Sequence, residues 1–320
     1  MNIGAVRNVG FELSLEGVVV RQKDFDWTVN FNISHYKNKI LELDPSVAEN
    51  GIKGSYYIYT VGGTLYQSYM YKYAGVDRES GKPLYYYKKY KMKQDVDADG
   101  TPLWLDEEKT QPKMVADLDA DGKLQYTGEI GTTDVFSDAD QFDCGTTLPK
   151  FYGGLGTTLR FHGFDFGAQL QFQLGGKFYD GTYQALMHTS SQAIGSAWHK
   201  DALDFWDKDT NPNASQPRLD TSTSFAEGQA SVDRWMTSSD YLSINNVTLG
   251  YTFPKSWISP LKLASLRVYV AGENLAVITA RKGMDPRFSL GIGSYVYGSG
   301  STTNYYSTMR NISAGLSVTF

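Results

Sequence analysis

The sequence predicts an all-β protein, an antiparallel transmembrane β-barrel segment with long extracellular loops. Three observations support this prediction: apolar and polar residues alternate along several segments, short and long connections alternate between those segments, and the composition favours strands. Aromatic residues make up 14% of the 320 residues, which include 23 Tyr and 32 Gly. From these patterns we expect roughly seven to nine barrel strands.

The first two predicted strands lie near residues 8–20 and 24–38 and form a hairpin. Phe and Leu alternate with Glu and Ser along the first strand, and Trp, Val, Phe and Ile alternate with Thr, Asn and Ser along the second. A few residues around Lys23 join the two strands. Because successive side chains of a strand point to opposite faces, each strand presents one apolar and one polar face.

The middle pair of strands, near 151–161 and 164–178, shows the clearest alternation. From Phe164 to Leu174, six apolar residues alternate with five polar or small ones. That length matches the roughly 9 to 11 residues of a membrane-spanning strand. Only His162-Gly163 separates the two strands, which predicts a tight hairpin.

The last three predicted strands lie near residues 239–253, 264–278 and 312–320. A turn that contains two prolines joins the first two. The final strand alternates Ile, Ala, Leu, Val and Phe with Ser, Gly and Thr, and it ends on Phe320. An apolar face toward lipid and a small polar face toward a wet lumen are typical of an outer-membrane barrel strand.

The connections between the predicted hairpins are long, and they cover residues 39–150, 179–238 and 279–304. Short turns on one rim and long loops on the other are typical of bacterial outer-membrane barrels, where the short turns face the periplasm. A soluble β-sandwich more often has turns spaced by about 8 to 12 residues. The spacing therefore favours the barrel.

Composition excludes several other classes of protein. The net charge of -5 and the absence of Lys/Arg-rich runs argue against nucleic acid as a partner. The single cysteine, Cys144, excludes an intrachain disulfide, and no apolar run is long enough for a transmembrane helix. None of the four histidines lies in a nucleophile or zinc motif, so we do not expect an enzyme. These histidines are His35, His162, His188 and His199.

Two acidic runs in the first long connection have the oxygen-ligand spacing of calcium loops. The first run has a closing carboxylate at its twelfth position, whereas the second has Gly128 there. Solvated surface turns explain both runs equally well, so calcium is a possible ligand and no cofactor is required. The candidate ligands are Asp95, Asp97, Asp99 and Asp106 in the first run, and Asp117, Asp119 and Asp121 in the second.

Aromatic residues of the long connections are the candidates for substrate binding. Their flat apolar faces and polar edges suit sugars or peptides. In the competing interpretation, some loop-flanking aromatics belong to interfacial girdles and Trp206 packs inside its own loop. The candidates are Trp104, Trp198, Trp206, Tyr295, Tyr297, Tyr305 and Tyr306.

The amino-terminal residues, starting Met1-Asn2-Ile3, lack the charged start, apolar stretch and cleavage site of a signal peptide. The sequence enters a predicted barrel strand almost at once. We therefore expect either that the protein is not exported or that residues 1–320 are the carboxy-terminal part of a longer polypeptide.

Several short segments, in order along nearly the whole chain, resemble the carboxy-terminal end of the SusC/RagA family of TonB-linked outer-membrane transporters. Each segment is short, and their joint order makes the resemblance specific. The segments are WTVNFNISHYKNKI (27–40), YAGVDRESGKPL (73–84), LPKFYGG (148–154), FDFGAQLQFQLGGKFYD (164–180), YLSINNVTLGYTFP (241–254), LRVYVAGENL (266–275), GMDP (283–286) and the terminal Phe320.

The resemblance implies active uptake of a large nutrient, an oligosaccharide or glycan first and a peptide second, across the outer membrane of a Bacteroidetes-type bacterium. It also implies a SusD-type surface lipoprotein as partner, energy from the TonB system, and a barrel of about 22 strands. The family's plug domain and TonB box have no counterpart in residues 1–320. We expect that this segment alone does not transport, because unpaired strand edges are costly in lipid.

Two alternatives remain open on the sequence. A soluble or surface carbohydrate-binding β-sandwich module predicts a protein that stays monodisperse without detergent, whereas a barrel segment needs detergent. A partial barrel that pairs with a second chain predicts a defined complex of two polypeptides.

Overall fold

The computed structural model describes residues 4–54, 56–65, 67–187, 197–220, 232–280, 285–288 and 308–320. The chain divides into two compact units. The first unit comprises Met1–Tyr69, Asp143–Thr182 and Trp235–Phe320, and the second comprises Met70–Phe142 and Tyr183–Arg234.

Most regular structure in the described residues is β. In chain order the strands are β1 (Gly4–Gln22), β2 (Phe25–Leu43), β3 (Ile52–Lys53), β4 (Ile58–Tyr59), β5 (Gln67–Tyr71), β6 (Tyr73–Val76), β7 (Pro83–Tyr90), β8 (Met92–Gln94), β9 (Met114–Ala116), β10 (Tyr126–Thr133), β11 (Gln141–Thr146), β12 (Phe151–Phe161), β13 (Phe164–Leu174), β14 (Lys177–Tyr179), β15 (Met236–Ser238), β16 (Tyr241–Thr252), β17 (Ser265–Thr279) and β18 (Asn311–Thr319). Three short helices are α1 (Pro45–Ala48), α2 (Gly181–Leu186) and α3 (Lys255–Ile258).

The first unit is built on one seven-stranded sheet, which we call the main sheet. Its order is β1-β2-β12-β13-β16-β17-β18, and every neighbouring pair is antiparallel. These are the seven strands that the sequence predicts, so the predicted fold class is confirmed. Strands β1 and β2 have 19 residues each and are about 60 Å long, well beyond the 9–11 residues that span a membrane.

The hairpins of the main sheet have the short turns that the sequence predicts. His162 and Gly163 both have positive φ, 46° and 90°, as a two-residue type I′ turn requires. Between β16 and β17 the chain forms α3 and a 3₁₀ turn at Ser259–Leu261, and it then turns at Lys262 in the left-handed conformation.

The strand register gives the main sheet one apolar and one polar face. Phe166, Leu249 and Val270, for example, lie side by side on three neighbouring strands. Leu249 is 53% exposed and Val270 is 51% exposed. A soluble β-sandwich buries its apolar face against a second sheet, so this exposure favours a face that lipid covers.

The second unit shows that part of the predicted loops has its own structure. Strands β6, β7 and β10 form a three-stranded sheet, and Trp206 packs with Val76 and Ala214 in a buried cluster that Tyr73 borders. The chain crosses between the units four times: within β5, within β11, within α2, and between Arg234 and Trp235. Across the described residues, no helix combines the length and the apolarity needed to cross a membrane.

Candidate functional site

The polar face of the main sheet contains a recess of about 250 Å³, which we call the amide recess. Its wall is formed by amide and tyrosine side chains above a floor of glycines. The residues that define it are Asn30, Asn32, Tyr152, Gly154, Gly156, Gln169, Gln171, Tyr241 and Asn245.

The strand register builds the amide recess from two parallel rows. In one row Asn32 of β2 lies opposite Gly154 of β12, which lies opposite Gln171 of β13. In the other row Gly156 lies in the same way between Asn30 and Gln169. Each glycine therefore has an amide residue opposite it on both neighbouring strands. Neighbouring strands of a sheet lie about 4.8 Å apart.

The glycines of the floor leave space that the amides occupy. A Cβ atom at Gly156 would lie 2.4 Å from Oδ1 of Asn30, and one at Gly154 would lie 3.3 Å from Nδ2 of Asn32. The Asn30 amide therefore extends over the backbone of β12. A larger residue at either glycine would displace the amides and fill the recess.

An ion pair crosses the polar face farther along the strands. The Arg267 guanidinium donates from Nε to Asp165 Oδ1 at 3.0 Å and from Nη2 to Oδ2 at 2.5 Å. It reaches across the intervening strand above Gly250, where a Cβ atom would lie 2.4 Å from Arg267 Nη2. The bidentate geometry neutralises both charges on a face that is otherwise lined mostly by amides and hydroxyls.

A second ion pair lies beside the amide recess. Arg287 donates to Asp285 from Nε at 2.8 Å and from Nη2 at 2.6 Å, and from Nη1 to the Ser243 hydroxyl at 2.9 Å. Ser243 is fully buried, and its hydroxyl donates to Oδ1 of Asn245. This chain of hydrogen bonds orients Asn245, which lines the recess.

The predicted aromatic residues lie in different environments. Trp104 and Trp198 are 36% and 41% exposed, whereas Trp206 is 9% exposed in the core of the second unit. Trp206 packs against Val76 of the other long connection as well as Ala214 of its own, so its contacts are not confined to its own loop. Binding by the exposed tryptophans stays a prediction. Four further candidates, Tyr295, Tyr297, Tyr305 and Tyr306, lie outside the described residues.

The first acidic run forms two tight turns. The Asp97 carboxylate accepts hydrogen bonds from the amides of Asp99 and Thr101, and Asp106 accepts from the amides of Thr110 and Gln111. The Thr110 hydroxyl also donates to Asp106 and lowers the pKa of the Asp106 carboxyl below its usual range.

Two other carboxylates of the acidic runs, Asp95 and Asp117, form ion pairs with lysines. Lys113 Nζ lies 2.7 Å from Asp95 Oδ2 and lowers the pKa of Asp95. Asp117 pairs with Lys93 at 3.3 Å. In the second run Asp119 accepts from the amide of Asp121, as in an ordinary turn.

Calcium binding at either run stays a prediction. Within the ranges that the structure describes, no group of three or more His, Cys, Asp or Glu residues is placed to hold a metal ion.

The histidines are dispersed. His35 lies on β2 with Nδ1 2.5 Å from the Lys150 carbonyl oxygen, His162 is in the β12–β13 turn, and His199 Nδ1 accepts from the Asp201 amide in the second unit. His188 lies outside the described residues.

The sequence interpretation missed the amide recess. It placed Asn30, Asn32, Gln169 and Gln171 on a polar face and took that face only as the wet side of the sheet. The available signal was the run of amides alternating with apolar residues on strands beside a glycine-rich one, residues 153–156. Only the register shows that these residues meet.

Comparisons with known proteins match this chain to TonB-dependent receptors, in agreement with its antiparallel β fold. The chain is 26% identical over 292 residues to TonB-dependent receptor P3 of Formosa agariphila, covering 89% of this chain and 25% of that protein. It is 23% identical over 303 residues to TonB-dependent receptor SusC of Bacteroides thetaiotaomicron, covering 92% of this chain and 25% of that protein. No family model matches the sequence.

Solved structures show the same fold at lower identity. The RagAB peptide transporter superposes with a TM-score of 0.70 at 22% identity, covering 100% of this chain and 30% of that one. The RagAB peptide importer in its "open-open" state gives a TM-score of 0.66 at 20% identity, covering 99% of this chain and 29% of that one.

The main sheet, with one exposed apolar face and one amide-lined face, defines an all-β protein with the antiparallel strands of a transmembrane β-barrel segment. Within that class the chain is a relative of the TonB-dependent receptors, and the resemblance to the SusC/RagA family is confirmed. The chain spans 25–31% of the length of the curated relatives that it matches.

Proposed function

We propose that this chain is part of the barrel wall of an outer-membrane TonB-dependent transporter that imports a large nutrient. The observation that supports this most directly is the main sheet, whose neighbouring strands all run antiparallel with apolar side chains on one face and polar ones on the other. In a membrane, such a sheet places its apolar face against lipid and its polar face toward the lumen.

The two ends of the main sheet support a role as part of a larger barrel. Among the described residues, β1 and β18 are the terminal strands, so each has one edge without a strand partner. An unsatisfied backbone group in lipid costs several kcal/mol, and β1 alone has 19 residues. We therefore propose that further strands close the barrel and that these residues alone do not transport.

The proposed nutrient is an oligosaccharide, with a peptide as the alternative. The resemblance to the SusC/RagA family implies an oligosaccharide first, whereas the RagAB structure that the chain matches is a peptide transporter. Proposed partners are a SusD-type surface lipoprotein, the TonB system acting through another part of the transporter, and outer-membrane lipid.

Two lysines with different predicted locations test the membrane topology. Lys23 lies in the short turn between β1 and β2, and Lys109 lies in a turn of the long connection between β2 and β12. Trypsin added to intact cells is expected to cut after Lys109 and to spare Lys23 until the outer membrane is permeabilised. Equal cleavage of the two sites in intact cells, or recovery of the protein in a detergent-free soluble fraction, would refute the proposal.

A further inference from the structure

We propose that the amide recess binds a short neutral segment of a carbohydrate chain. This inference rests on the proposed function, because it requires that the polar face of the main sheet lines the transport path. It assigns a binding role to Asn30, Asn32, Gln169 and Gln171.

The amides of the recess have unused hydrogen-bonding capacity. Within the part of the chain that the structure describes, the side chains of these four residues make no hydrogen bond to protein, and all four are exposed on the polar face. Each amide offers two N–H donors and a carbonyl acceptor. Sugar hydroxyls donate and accept at once, so neighbouring hydroxyls can pair with both ends of an amide.

The glycine floor allows a ligand to approach the sheet closely. Gly154 has no side chain to hold a ligand away from the backbone, whereas the Asn30 amide covers Gly156. The Asn32 amide borders Gly154 on β2, and Gln171 lies opposite Gly154 on β13. A ring that lies above the floor is therefore within reach of donors and acceptors on two sides.

Two tyrosines provide apolar surface at one end of the recess. Tyr152 is 37% exposed, and its ring packs edge-to-face with Tyr36 at a centroid distance of 6.4 Å and an angle of 83°. Tyr241 lines the same recess. An aromatic face beside amides suits the C–H face of a sugar ring together with its hydroxyl edge.

The charge of the recess selects a neutral ligand. None of the residues that line it is Asp, Glu, Lys, Arg or His. The adjacent charges of Asp285 and Arg287 neutralise each other in a bidentate pair. A sulfated or uronate sugar would lose water here without gaining a cation as partner.

The size of the recess limits what it holds. Its volume of about 250 Å³ lies below the roughly 300–1,000 Å³ of pockets that enclose a whole ligand. It therefore fits a short segment of a longer chain rather than an entire large nutrient.

The test uses the complete receptor, purified from outer membranes in detergent, on an array of neutral, uronate and sulfated oligosaccharides together with a pool of peptides. We expect the wild-type receptor to bind neutral oligosaccharides. The double variant N32A/Q171A is expected to bind the same oligosaccharides about tenfold more weakly, as the loss of two ordinary hydrogen bonds predicts.

Two further variants make the test specific. N311A removes an amide from the same face on β18, outside the recess, and should leave binding unchanged. G154V adds side-chain volume to the floor while keeping every amide, and it should weaken binding of the neutral oligosaccharides. The amount of each variant in the outer membrane controls for folding.

Each other result overturns the inference. Unchanged binding by both N32A/Q171A and G154V would show that oligosaccharides bind elsewhere and would leave the proposed transport function intact. Binding of peptides alone, of acidic sugars alone or of nothing on the array would refute the assigned ligand class. Absence of the receptor from the outer membrane would instead refute the proposed function.

Discussion

Gly250 shows how one residue without a side chain makes room for an ion pair on the polar face. Arg267 on β17 and Asp165 on β13 meet above Gly250 of the intervening strand. A Cβ atom there would lie 2.4 Å from the guanidinium and 2.6 Å from Asp165 Oδ1. No single segment of sequence shows this requirement, because the three residues are far apart along the chain.

Gly250→Ala is therefore expected to break the ion pair and to lower the free energy of unfolding of the complete receptor by about 1–3 kcal/mol, the usual cost of a lost charge-assisted hydrogen bond. Denaturant unfolding in detergent measures the change. Gly17→Ala is the matched control, since an added Cβ at Gly17 meets no atom within 4 Å. An equal effect of the two substitutions would contradict the role assigned to Gly250.

Asp106 gives the second turn of the first acidic run a dependence on pH. The Thr110 hydroxyl and the Gln111 amide lower the pKa of Asp106 from its ordinary value of about 4. A lowered pKa stabilises the folded turn at every pH above the unfolded pKa, and this stabilisation is lost as the pH falls through the folded pKa. The turn should therefore be ordered at pH 6 and loosen below about pH 4.

Hydrogen exchange of a peptide that covers residues 104–113 measures this loosening as a loss of protection between pH 6 and pH 3. Asp106→Asn is expected to reduce protection at pH 6 and to remove most of the pH dependence, whereas Glu107→Gln should change neither. Retention of the full pH dependence in Asp106→Asn would show that another group controls the turn.

At the scale of secondary-structure elements, the acidic turns allow a direct test of calcium. If the runs bind calcium, trypsin should cut after Lys109 more slowly with the metal present than with a chelator, because a bound ion orders the loop. The double variant D97N/D99N should remove the difference without changing cleavage in chelator. Equal cleavage in calcium and chelator would exclude calcium at these turns.

The main sheet was predictable from sequence because each strand carries its own signal. Residues 164–174 alternate over their full length, and β13 (Phe164–Leu174) has those bounds. The strand predicted near 164–178 therefore ends earlier, before Gly175 and Gly176, which both have positive φ. The small strands of the second unit were not predictable. Strands such as β8 and β9 have 3 residues each, which is too short for periodicity, and their pairing depends on residues about twenty positions apart.

The amide recess was predictable only in part, because its residues come from strands whose pairing the sequence pattern does not show. Alternation alone places Gln169 and Gln171 on the polar face. That Asn32, Gly154 and Gln171 form one row depends on which strands are neighbours and in what register. Connections of more than a hundred residues separate β2 from β12, and sequence pattern does not determine such pairings.

At the scale of the whole molecule, the two terminal strands of the main sheet are the feature that points to a larger barrel. Long strands with one open edge are unstable in lipid and prone to pair with another chain in water. The structure is therefore understandable as the wall of a larger barrel, consistent with a chain that spans 25–31% of its relatives.

The mass of the native polypeptide shows whether these strands belong to a larger barrel. The tryptic peptide of residues 161–177, between Arg160 and Lys177, identifies the polypeptide by mass spectrometry after denaturing electrophoresis of an outer-membrane fraction. We expect this peptide in a band far above 35.7 kDa, the mass of these 320 residues. Its recovery only from a band near 35.7 kDa would contradict the claim that these strands belong to one larger transporter.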